Sequence, residues 1–229
     1  MFSNFDFDVI QRALPYLWQG MLTTLWLTLL AMVGGIVLGT LLALMRLSSI
    51  KAISVPAGIY VNLLRATPLI LVIFWFYFLV PIAIKQISGD SYAQGIGPFY
   101  SALIAFTLFE AAYYCEIIRA GIQSVPAGQV NAGYALGLSY PQATRLVVLP
   151  QAFRNMVPIL LTQGIILFQD TSLVYVVGLT DFMGAASKVA QRDGRLVEMY
   201  LFAALIYFIL CFLASYTVKR LQLRITPPR

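Results

Sequence analysis

Three carboxylates stand inside otherwise apolar stretches of this chain. Glu110 and Glu116 lie in "FEAAYYCEIIR" and Asp170 lies in "LFQDTSLVY". An ionisable group in such surroundings is expensive to keep, and where it persists it marks an ion or substrate pathway or a structural pair. Asp170 has Gln169, Thr171 and Ser172 beside it, a polar run suited to lining a pathway. Glu110 is followed by Tyr113 and Tyr114 at i+3 and i+4, so a phenol can cap it or it can face a cavity. Glu116 is spaced three from Arg119, the spacing of an ion pair on one helix face. Bond-making chemistry has less to work with. The chain has no His, the commonest general base and metal ligand. No G-x-x-x-x-G-K-[ST] run occurs, so nothing here cradles nucleotide phosphates. Cys115 and Cys211 sit in apolar surroundings and read as small membrane-buried hydrophobes rather than as a disulfide or a metal site. The chain is not expected to be an enzyme.

The elements that carry these residues are set by composition. Of the 229 residues 60% are hydrophobic and 10% charged, against the roughly 25% charge of soluble domains, and mean hydropathy is +0.84. The chain is an all-α integral membrane protein. A spanning helix needs about 20 mainly apolar residues, because only intrahelical bonds satisfy the backbone in lipid. Five segments qualify: 20–44, 66–84, 99–119, 156–177 and 198–219. Asp170 falls about 15 residues, roughly 22 Å, into the fourth span, towards its far half. Gly35 and Gly39 form a small-xxx-small pair in the first, which favours close helix packing.

The net charge of +6 is consumed by topology. Arg46, Lys51, Arg65, Arg119, Arg145, Arg154, Lys219, Arg220, Arg224 and Arg229 flank the spans on one side; only Arg12, Lys85, Lys188, Arg192 and Arg195 fall on the other. The positive-inside rule therefore puts the N-terminus outside and the C-terminus in the cytoplasm, and no basic stripe is left for nucleic acid. Asp6 and Asp8 occupy the place where a signal peptide needs positive charge, so no cleaved signal is expected. Residues 1–19, with Tyr16 and Trp18, read as an external interfacial segment. Residues 181–198 read as an external surface helix. No repeat or linker divides the chain; residues 1–229 form one membrane domain.

One stretch resists this scheme. Residues 120–144 lack charge, yet they are poor in bulky apolar side chains and are punctuated by Pro126 and Pro141. Ser139 and Gln142 have capping-box spacing, with Pro141 tolerated in the first turn. The pattern predicts short helices over 126–138 and 140–148, with Pro150 opposing simple continuation. By orientation the 120–150 segment is cytoplasmic. An uncharged surface helix requires something to cover it.

Within this stretch Asn131-Ala132-Gly133 is followed after three residues by Gly137 and after nine more by Val147-Val148-Leu149-Pro150. That spacing resembles the cytoplasmic loop of permease subunits of binding-protein-dependent ABC importers, Glu-Ala-Ala, three residues, Gly, nine residues, Ile-x-Leu-Pro. Asn131 replaces the Glu, which removes a possible charge partner, and Gly133 replaces the second Ala. "LLRATPLIL" at 63–71, "AAYYCEIIRAGIQSV" at 111–125 and "LFQDTSLVYVV" at 167–177 resemble the polar amino acid permeases of that group. "FWFYFLVP", "FEAAYYCEIIRAGIQS" and "LLTQGIILFQDTSLVYV" are most similar to permeases of glutamate/aspartate importers.

The resemblance implies a type I ABC importer permease fold in the bacterial inner membrane. It implies coupling through Asn131, Ala132, Gly133, Gly137, Leu149 and Pro150 to a separate ATPase, which would hold ATP and Mg; no cofactor is expected in this chain. It also implies a second permease subunit, identical or homologous, two ATPase subunits and a soluble substrate-binding protein. Transport of polar, acidic L-amino acids would proceed by alternating access along a pathway lined by Asp170, Gln169, Thr171, Ser172, Glu110, Glu116, Tyr113 and Arg65. A carboxylate at Asp170 could hold the α-ammonium common to all amino acids. An acidic side chain needs a cation, and Arg65 and Arg119 fall near span ends rather than deep in the core. The partner permease, backbone donors or the binding protein are the alternatives. Glutamine or arginine/histidine remain alternative substrates. An ion-coupled secondary transporter would require internal repeats, which are absent from the sequence, and a channel would need no docking loop.

Overall fold

A computed structural model describes residues 5–88 and 95–225. Among these residues five helices are long and apolar enough to cross a membrane: Phe7–Leu47, Leu69–Ile87, Gly97–Gln123, Tyr140–Val177 and Leu196–Ile225. All five expected spans are present, four of them longer than the apolar run that marked them and the second equal in length but shifted by three residues.

Helix α1 (Phe7–Leu47) is one uninterrupted 41-residue rod, about 60 Å at 1.5 Å per residue. The expected separate segment over 1–19 is instead, from Phe7 on, its first turns. Pro15 sits inside the helix without ending it. The continuity has a packing cause, because the buried positions Val9, Ala13, Leu17, Gly20, Thr24, Leu27, Ala31, Gly35, Gly39 and Ala43 recur every three or four residues. Many of them are small, so neighbouring helices approach closely along the whole length.

Helix α2 (Lys51–Arg65) was not anticipated; its residues read only as a flank. It ends at Ala66, and the chain resumes as α3 (Leu69–Phe74), a π-helical turn (Trp75–Leu79) and α4 (Val80–Ser88). Helix α5 (Gly97–Gln123) is the most buried span and runs against α1. A Cβ on Gly34 would meet Thr107, on Gly35 Glu110, and on Gly39 Tyr114 Cβ at 2.7 Å and the Ala111 carbonyl at 3.0 Å. The Gly35/Gly39 pair therefore seats α1 on α5.

Beyond α5 lie α6 (Ala127–Ala135), α7 (Tyr140–Ala143), a second π-helical turn (Thr144–Val148) and α8 (Leu149–Asp170). Contrary to expectation, Pro150 does not break the chain. A proline inside a helix removes one donor and clashes with the carbonyl four residues back. Here the preceding turn widens, with Leu149 N–H bonding back to Thr144 O. The same device precedes Pro81, where Val80 N–H bonds back to Trp75 O. A 3₁₀ turn (Thr171–Val177), α9 (Phe182–Asp193) and α10 (Leu196–Ile225) complete the fold. Helix α9 is not a surface helix: Phe182, Ala185, Ala186, Val189 and Ala190 pack into a core with Val9, Leu17 and Met21 of α1 and Met199 and Ala203 of α10. Asp181 caps α9, accepting from Gly184 N at 2.8 Å and Met183 N at 3.2 Å. Its burial pushes the carboxyl up to about 6. The buried Thr24 hydroxyl accepts from Phe182 N at 2.9 Å, and Gly20 leaves room for the Asp181 carbonyl.

Candidate functional site

Two places gather the residues singled out by sequence. The first lies where α5 and α8 meet. Glu110 is fully buried, and its carboxylate oxygens accept from Gln163 Nε2 at 3.1 and 3.3 Å. The phenols of Tyr113 and Tyr114 do not cap it; the Tyr114 hydroxyl has no hydrogen-bond partner among the described residues. Asp170 ends α8 two turns beyond Gln163, on the same face, and lies within electrostatic range of Glu110 and Tyr113. The guanidinium of Arg65 sits over the Tyr113 ring, 5.5 Å from its centroid, a cation–π distance.

Arg65 is thus not stranded at a span end. Because α2 is a separate packed helix, tied to α5 by Tyr60 hydroxyl donating to Leu108 O at 2.9 Å, its C-terminus delivers Arg65 to the cluster. Acid and base stand together: two carboxylates, an amide, a phenol and a guanidinium, with Arg65 exposed and Asp170 half-buried. Such a group can hold a zwitterion by its ammonium and a carboxylate at once.

The flanking residues divide. Thr171 is buried and its hydroxyl is spent on Phe168 O at 2.7 Å. Gln169 is exposed and Ser172 half-buried. Glu116 does not join the cluster; it receives Arg119 Nη2 at 2.7 Å and pairs with Arg46 of α1. The Arg46 pair ties α1 to α5, and the Arg119 bond braces the carboxylate within α5. Gln163 was missed by sequence reading, and its signal was available: an amide in an apolar run, seven residues before Asp170.

The second place is the 124–150 segment. Its α6 ends in a Schellman motif, with Leu138 N–H bonding Gly133 O at 3.1 Å and Gly137 N–H bonding Tyr134 O at 2.9 Å. Gly137 takes φ +83°, the left-handed conformation this cap requires. A Cβ there would touch nothing within 4 Å, so the backbone, not space, demands glycine. At Gly133 the reverse holds: a Cβ would meet Leu138 Cδ1 at 3.4 Å and Val147 at 3.6 Å, ordinary contacts. The departure from Ala at that position therefore costs little.

Ser139 N–H donates to Gln142 Oε1 at 2.8 Å, as the capping-box spacing anticipated. At the base of the segment Asn155 Nδ2 donates to Ser124 Oγ at 2.8 Å, and Ser124 in turn to Gly121 O at 2.7 Å. Gly121 packs on Met156. Asn131, Ala132, Gly137, Leu149 and Pro150 are exposed while Gly133 is buried. Leu136 is 84% and Tyr140 73% exposed, so the segment presents uncharged apolar groups on a rigid, capped frame.

Five spans, a polar cluster between two of them and a capped helical segment at one end define a permease of the type I ABC importer class. The chain belongs to the family described as binding-protein-dependent transport system inner membrane component, whose pattern it matches over residues 35–227. It is 51% identical over 221 residues to the glutamate/aspartate import permease protein GltK of Escherichia coli O6:H1, covering 96% of this chain and 98% of that one. The L-cystine transport system permease protein TcyB of Bacillus subtilis is 36% identical, with 91% and 86% covered. Escherichia coli K12 GlnP, a glutamine transport system permease protein, is 32% identical, with 96% and 98% covered. Among solved structures, an amino acid ABC transporter crystallised with histidines superposes with TM-score 0.87 at 32% identity, covering 96% of this chain and 98% of that chain. The chain is accordingly an inner-membrane permease component.

Proposed function

We propose that this chain is the transmembrane subunit of an importer for acidic L-amino acids, glutamate and aspartate, working by alternating access with its N-terminus outside. The observation that carries the substrate reading is Arg65 beside Tyr113, in one cluster with Glu110 and Asp170. An acidic amino acid brings one ammonium and two carboxylates. Asp170 holds the ammonium, and Arg65 offers a planar fork to a carboxylate. Gln163 fixes the Glu110 carboxylate through its amide nitrogen, while Gln169 and Ser172 line the approach; Glu116 acts as a strut. The 51% identity to a glutamate/aspartate import permease supports the same substrate class.

A second permease subunit, identical or homologous, faces this cluster and completes the pathway. Two ATPase subunits, which bind ATP and Mg, complete the assembly, one of them docking on the 128–150 segment of this chain. Asn131, Ala132, Leu136 and Leu149 form the contact, and Gly133, Gly137 and Pro150 shape it. A soluble binding protein delivers substrate at the other end. The test is ATP hydrolysis by the complex purified gently from its native membranes. Hydrolysis should co-purify and rise when a binding protein loaded with glutamate or aspartate is added. A co-purifying ATPase indifferent to both ligands overturns the substrate, and no co-purifying ATPase overturns the coupling.

A further inference from the structure

A groove between α8 and α10 has no role in the transport reading. At the end of the bundle that carries the 124–150 segment it opens as a hollow of about 350 Å³ between Phe153, Arg154 and Val157 of α8 and Arg224 and Ile225 of α10. It continues along the same two helices as a hollow of about 290 Å³ over Leu161, Ile165, Ala214, Val218 and Leu221. A third, of about 270 Å³, shares Leu161, Ile165 and Ala214 with the second, reaches Gly164, Phe168 and Leu210, and is walled also by Leu25 and Met32 of α1. The lining residues advance by three or four along α8 and retreat by three or four along α10, so the three hollows form one furrow along this helix pair, closed at its inner end by α1.

The furrow is cationic at its mouth and apolar beyond. No carboxylate among the described residues forms an ion pair with Arg154 or Arg224. Arg220, one turn before Arg224, does not line the mouth; its guanidinium stacks on Tyr216 at 4.7 Å. The apolar part runs from Val157 to Phe168, about 16 Å at 1.5 Å per residue, which matches one leaflet's half of a ~30 Å hydrocarbon core. Gln163 and the Glu110 cluster lie on the opposite side of α8.

We propose that this furrow is a binding site for an anionic phospholipid, its phosphate between Arg154 and Arg224 and one acyl chain along the apolar wall. Charge complementarity and length select that occupant. A protein partner would meet two guanidiniums at one end only, and a zwitterionic lipid would gain little from them. Each basic residue at a membrane surface favours anionic lipid by about 1 kcal/mol, so two give a preference of roughly 25-fold.

The experiment uses the full complex reconstituted in vesicles of equal phosphatidylglycerol and phosphatidylcholine. A benzoylphenylalanine placed at position 218, in the furrow wall, is photolysed and the adduct identified by mass spectrometry. The same probe at position 208, where Phe208 lies exposed on another face of α10, reports ordinary boundary lipid. The expected result is an adduct at 218 dominated by phosphatidylglycerol, with no preference at 208. Arg154→Gln or Arg224→Gln alone should leave about fivefold preference, and both together none. Equal capture of both lipids at 218 would mean boundary lipid only and overturn the proposal. An adduct to a second copy of the chain or to another subunit would make the furrow a protein interface and overturn it too. The ATPase activity of the complex, followed in parallel, verifies that the variants still assemble.

Discussion

The polar cluster and the 124–150 segment are built on opposite principles. The cluster holds charge in an apolar frame: Glu110 is buried against Gln163, and Arg65 is brought from a separate helix to the Tyr113 ring. The segment carries almost no charge and is fixed by backbone caps, a left-handed glycine and a widened turn before Pro150. One is suited to recognising a small charged solute. The other is suited to moving as a unit when pressed from outside. If the two roles are separable, changes in each should fail differently.

The largest effect is expected at Gly137. Gly137→Val forces a β-branched residue to φ +83°, a strain of about 1–3 kcal/mol, and endangers the two hydrogen bonds of the cap, each worth about 1 kcal/mol. Transport in proteoliposomes should fall about 100-fold, with hydrolysis no longer raised by the loaded binding protein. Gly133→Ala, four residues away, should leave uptake nearly unchanged, because its Cβ finds only ordinary contacts. Equal damage by both would show that space, not the left-handed backbone, governs the segment.

Arg65→Gln ranks next. Removing a charged hydrogen bond costs about 1.5–3 kcal/mol, so uptake of glutamate should fall roughly tenfold to a hundredfold. Binding of glutamate by the soluble binding protein should not change. Asn155→Leu breaks the link to Ser124 and should cost about 1 kcal/mol, some fivefold in uptake per ATP hydrolysed. An undiminished ratio would show that the base of the segment is fixed by Gly121 and Met156 alone.

The smallest effect concerns Asp181, at neither place. Burial raises its carboxyl to about 6, above the ordinary value near 3.9. The folded chain therefore holds this proton more tightly than the unfolded one. Its contribution is full below the unfolded value and is lost as pH rises through about 6. The melting temperature of the complex should carry a decline from this group between pH ~4 and ~6, and Asp181→Asn should remove that component.

Much of the bundle was legible in the sequence because lipid imposes long apolar runs, and all five were found. Gly35 and Gly39 signalled a close helix contact, because small residues at helical spacing have few other uses, but only the structure shows that the partner is α5. The Ser139 cap and the short helices of the 124–150 segment followed from residue chemistry. What escaped was set by tertiary packing. Helix α2 binds α5 through Tyr60 and through buried Val61 and Leu64, and no local signal says that a moderately apolar flank will do so. Arg65 consequently looked remote from Asp170. Pro150 looked like a break because a π-helical turn leaves no pattern that single-residue propensities reveal. The early turns of α1 looked like a separate element because their partner, α9, lies far away in sequence.

The most direct test of separable roles measures uptake and ATP hydrolysis in the same proteoliposomes for Arg65→Gln and Gly137→Val. Arg65→Gln should keep hydrolysis that responds to the loaded binding protein while moving at least about tenfold less glutamate per ATP. Gly137→Val should lose the response and the uptake together. If both variants lose response and uptake in parallel, or if Arg65→Gln transports glutamate normally, the division between a recognising cluster and a coupling segment is contradicted.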